Sequence, residues 1–119
     1  MPAIEFPLRL PRRFELWSYQ VSHGVLLLRS APGPDQPTRI DVQFRFTSDL
    51  KLPAVLNDLV IDLHGDRYAL VAADYPDGYV VAENVQVAED DLQDRQPSVF
   101  EDEQLVLHRM RYLHHFRQS

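Results

Sequence analysis

The chain has 119 residues, no cysteine, and 18 acidic against 12 basic side chains, for a formal net charge of −6. That length fits one domain with a core of its own, and the missing cysteine excludes a disulfide framework, a thiol nucleophile and any cysteine-ligated metal. The acidic balance argues against a protein that tracks nucleic-acid phosphates and against binding to an anionic membrane surface. Apolar runs are short, and in the first 13 residues the arginines follow the apolar part. That order is wrong for a secretory signal, so a soluble cytoplasmic protein is expected.

In residues 1–13, Ile4, Phe6, Leu8 and Leu10 alternate with Glu5, Pro7, Arg9 and Pro11. The alternation is that of a strand, and prolines, which cannot donate to a ladder, confine it to an edge or an extended arm. Its apolar side chains are expected to pack on the chain's own core, the alternative being a neighbouring copy. Residues 14–30 predict two strands folded back at Ser22, His23 and Gly24. Phe14 and Leu16 fall on one face of the first strand, and Trp17, Tyr19 and Val21 on the other. The unbroken run Val25–Leu28 suits a strand covered on both sides. Trp17, the only tryptophan, is expected in the core, with the wall of a binding groove as its alternative.

A proline-rich loop at 31–37 leads to a strand in which Ile40, Val42, Phe44 and Phe46 form a dry face. Arg39, Asp41, Gln43, Arg45 and Thr47 form a face expected to be wet, its mixed charges pairing across strands. Residues 49–63 predict a short turn or helix and then a strand, because Leu52, Val55, Leu56 and Leu59 have helical spacing. Reversals are expected at His64-Gly65 and at Asp74–Gly78, with strands over 68–73 and 79–87, so that 14–87 forms an antiparallel meander. Residues 88–97 are read as an acidic linker. Over 98–117 a helix is expected: Ser98 and Glu101 have capping-box spacing, and Leu105, Val106, Met110, Leu113 and Phe116 form an apolar stripe. That stripe is the candidate cover for Trp17 and the Val25–Leu28 run.

The fold class that results is mainly β (α+β). It is an antiparallel barrel or sandwich of about six to seven strands with one C-terminal amphipathic helix. This order is similar in outline to the pleckstrin-homology-like architecture, a resemblance of topology that implies no ligand.

Chemical motifs are sparse. Each of the four glycines is used by a turn or loop, leaving none for a phosphate cradle, and no dinucleotide or nucleophile-elbow motif is present. Asp62, His64 and Asp66 carry ligand chemistry at alternate positions near a reversal and are the candidate metal residues. His108, His114 and His115 have no chelating pattern. From Glu83 to Glu103 eight carboxylates are opposed only by Arg95. Asp90, Asp91 and Asp94 within that stretch, together with Trp17, are the candidate partner-binding residues. The function expected is a non-enzymatic binding or protein-interaction module without cofactor, meeting a protein partner or a second copy of itself. The alternatives are an acidic, immunity-like inhibitor covering a basic partner, and a small metal-dependent hydrolase using Asp62, His64 and Asp66.

Overall fold

A computed structural model describes residues 4–93, 95–98, 100 and 110–117. Nine strands lie within them: β1 (Leu8–Gln20), β2 (Val25–Ser30), β3 (Arg39–Arg45), β4 (Asp49–Lys51), β5 (Val55–His64), β6 (Arg67–Ala72), β7 (Tyr75–Val81), β8 (Asn84–Asp90) and β9 (Met110–Arg117). They form one open antiparallel sheet in the order β4-β7-β6-β5-β1-β2-β3-β8-β9. No helix among the described residues is long and apolar enough to cross a membrane.

β1 organises the sheet by changing partner along its length. Leu8 to Glu15 pair with β5 and Glu15 to Gln20 with β2. Residues 8–13 therefore have one strand neighbour, so the strand is an edge locally, where the prolines require it. Pro11 falls at an irregularity between Leu10 and Arg13, a site where a missing N–H is tolerated. Ile4 and Leu10 are buried in the chain's own core, as expected.

The sheet is rolled. In a flat sheet β3 and β6, four positions apart, would lie roughly 19 Å from each other. Instead the rings of Phe44 on β3 and Tyr68 on β6 meet edge to face at 5.3 Å. Residues 46–48 alone carry the chain from β3 to β4 at the far edge, and the Ser48 N–H donates to the Val81 carbonyl at 2.9 Å. The enclosed core takes Phe14 from β1, Leu26 and Leu28 from β2, Ile40, Val42 and Phe44 from β3, and Val85 and Val87 from β8.

Several expectations are corrected. Of the short turn or helix expected ahead of a strand in 49–63, the helix is absent: residues 52–54 are a short link, and the expected strand follows as β5 from Val55. The second reversal comes at Ala73-Asp74, which leaves Pro76, Asp77 and Gly78 inside β7, where the pairing with β6 is irregular. Gly78 is needed there because a Cβ would sit 2.7 Å from the Leu70 carbonyl oxygen. The strand expected over 79–87 is two strands, broken at Ala82-Glu83. Val80 is buried in the core.

Of the β3 face expected to be wet, Arg39, Asp41 and Gln43 are instead buried, while Arg45 is exposed. Of the helix expected over 98–117, residues 99 and 101–109 lie outside the described residues. The Ser98 hydroxyl accepts from the Phe100 N–H at 3.3 Å. Met110–Arg117 forms β9, antiparallel to β8.

Candidate functional site

Two surfaces of the roll carry unusual chemistry, and a β-bulge in β1 divides its residues between them. Leu16 pairs with Leu28 but Ser18 pairs with Leu27, so Trp17 is an extra residue. The extra residue reverses the alternation. Tyr19 now opposes Leu26, a core residue, and shares its inner face, whereas Trp17 stands with Ser18 and Gln20 outside. The expectation that Trp17, Tyr19 and Val21 share a face is thereby corrected. Trp17 is also not a core residue, being 39% exposed.

On the outer face Trp17 covers Arg29, whose guanidinium lies 4.8 Å from the ring centroid. Arg29 donates through Nε and Nη2 to the two carboxylate oxygens of Asp41 at 2.8 and 3.0 Å. Its Nη1 donates to the Gln96 carbonyl at 3.2 Å. Arg39 makes the same kind of fork with Asp90 at 3.0 and 3.1 Å. It also donates to the carbonyls of Gln93, Gln96 and Pro97 at 3.0, 2.7 and 2.9 Å. All four charged side chains are buried.

Buried ions need such pairing to be tolerated, and the arginine forks supply it while holding the backbone at Gln93, Gln96 and Pro97. Burial nevertheless outweighs the pull of Arg39 and pushes the Asp90 carboxyl above its ordinary 3.8. Between Trp17 and Arg95–Ser98 lies a polar cleft of about 310 Å³.

The second surface is one end of the roll. The hairpin turn Ser22–Gly24 docks on the loop after β3: the Phe46 N–H donates to the His23 carbonyl at 2.9 Å and the Thr47 N–H to the Gly24 carbonyl at 3.1 Å. Three residues there have left-handed backbone, His23 (φ 64°), Gly24 (φ 56°) and Phe46 (φ 56°). For a bulky aromatic this conformation is strained, and such strain gathers at functional sites. Here it holds Phe46 outward, 48% exposed, its ring edge-on to His23 at 6.4 Å between centroids. Val21, at the tip, is 85% exposed and Tyr19 43%. Tyr19 also lines a cavity of about 390 Å³, together with Leu16, Leu26, Ser48, Asp49 and Leu50.

Of the candidates drawn from the sequence, Trp17 and Asp90 belong to the first surface, and Asp62, His64 and Asp66 lie elsewhere. Asp62 and His64 approach to 3.4 Å on β5, both open to solvent, and Asp66 is exposed in the turn that follows. Among the described residues no group of three or more His, Cys, Asp or Glu side chains is arranged to hold a metal ion. Asp90 is committed to Arg39 and is not presented to a partner, Asp91 is exposed, and Asp94 lies outside the described residues. Glu89 also has an internal partner, accepting from Thr38 Oγ1 and from Arg12 Nη2 at 3.3 Å.

The apolar end was missed because neither Val21 nor Phe46 differs in sequence from a core residue. The one local signal was the turn at His23-Gly24, which fixes where the end lies. Comparison with family models, with curated proteins and with solved structures finds no match to this chain.

Proposed function

We propose that the chain is a non-enzymatic binding module that meets its ligand or partner at the apolar end formed by Tyr19, Val21 and Phe46. The carrying observation is Phe46, an aromatic side chain held half in solvent by a left-handed backbone that a glycine or asparagine would adopt at lower cost. Val21, exposed on the docked hairpin, adds apolar surface, and Tyr19 links this end to the cavity. The rolled sheet is read as a barrel-like scaffold whose mouth is that end.

A photo-reactive benzophenone amino acid at Val21 tests the reading, with the same residue at Val71, an exposed apolar position on β6, as control. Irradiation in the protein's own cells is expected to give one adduct of defined mass from position 21 and none of that mass from position 71. Equal labelling from both positions, or none from either, overturns the proposal.

A further inference from the structure

The cavity at the apolar end has the size and polarity to select a class of ligand. Its floor is Leu26, fully buried, and its walls are Leu16, Tyr19 and Leu50. Asp49, the one carboxylate among the described lining residues, is turned outward. It pairs in register with Val81, whose neighbour Val80 faces the core, and its carboxylate accepts from the Tyr79 hydroxyl at 3.1 Å. Among the described lining residues no other side chain is charged, and Tyr19 and Ser48, both exposed, bring hydroxyls to the lining.

An apolar cavity of about 150 Å³ takes benzene. At about 390 Å³ this one is more than twice that size, so a single partner side chain would leave most of it empty. Pockets from about 300 Å³ upward hold small molecules. The walls are also pre-formed, Tyr19 being placed by the bulge and the lip by the His23–Phe46 and Gly24–Thr47 hydrogen bonds.

We propose that this cavity binds a small, uncharged, largely apolar molecule with the bulk of two to three rings, its one polar atom lying at Tyr19 and Ser48. The inference rests on the reading of this end as the binding surface and adds the chemistry of the occupant. An anionic occupant would lose its hydration among leucines and would meet Asp49, a like charge, instead of a counter-ion.

Two fluorescent probes with one skeleton test it: N-phenyl-1-naphthylamine, which is neutral, and 1-anilinonaphthalene-8-sulfonate, which adds a negative charge. The neutral probe is expected to bind once per chain and at least about tenfold more tightly than the sulfonate. Ser48→Trp, which plugs the mouth from an exposed position, is expected to weaken the neutral probe by at least about tenfold without lowering Tm. Gln20→Trp puts the same bulk on the outer face of β1 and is expected to leave affinity unchanged. Equal affinity for the two probes, or binding insensitive to Ser48→Trp, overturns the inference. A protein adduct at position 21 without probe binding overturns it while the binding reading stands; neither adduct nor probe binding removes both.

Discussion

Arg39 donates from all three of its side-chain nitrogens, to the Asp90 carboxylate and to three carbonyls of the 91–98 segment, with no part of it in solvent. Removing it strands a buried carboxylate together with those carbonyls. Arg39→Ala is therefore expected to cost about 3–5 kcal/mol, measured by urea unfolding. The Asp90 carboxyl titrates above its ordinary value in the fold because burial disfavours its charge. The folded state thus holds a proton that the unfolded chain has already released. The stability this group contributes is complete below the unfolded value of 3.8 and is lost as pH rises through the raised folded value. Unfolding free energies of wild type and Asp90→Asn across that window should show wild type losing ground to the variant as pH rises, and a constant difference would refute this.

None of this lattice was legible locally. Alternation of Arg39, Asp41 and Gln43 with apolar residues identifies a face, but what covers it arrives some fifty residues later, so a solvated face and a buried ionic one produce the same pattern. Counting charges along the chain failed for the same reason, because the cations opposing Glu89 and Asp90 are Arg12 and Arg39, far off in sequence.

Among the elements, the β1–β2 turn was legible because Gly24 marks it, and the structure shows why glycine stands there. A Cβ would lie 2.5 Å from the Thr47 nitrogen, and φ is +56°. Gly24→Ala is expected to destabilise by about 2 kcal/mol in thermal or urea unfolding. Phe46 is the opposite case, a residue ill suited to its backbone. Phe46→Asn should stabilise the chain by about 0.5–1 kcal/mol, since asparagine tolerates the left-handed region. A variant that loses stability would show that the ring contributes more through His23 than its backbone costs. The bulge at Trp17 left no trace in the sequence. A register is a property of two strands, and a period-two count along one of them carries the wrong faces past the extra residue.

For the whole molecule, the antiparallel β class was legible from strand alternation and turn residues. The roll was not, because it depends on β1 serving both halves. That sharing has a thermodynamic consequence: neither half retains a complete sheet if β1 leaves. Trp17 fluorescence and far-UV circular dichroism are therefore expected to report a single coincident unfolding transition. Phe14, fully buried where β1 passes from β5 to β2, should shift both signals together, with Phe14→Ala costing about 3–5 kcal/mol. Two separated transitions would contradict the shared-strand account.

The edge strand β4 has only three residues, with Asp49 and Lys51 at its ends and Pro53 just beyond. An incoming chain would find a ladder of three rungs, bounded by charges and stopped by a residue without an N–H. Sheets polymerise by templating on long unpaired edges. On this side the protein leaves almost no template, so crowding does not turn the β4 edge into the growing end of a fibre.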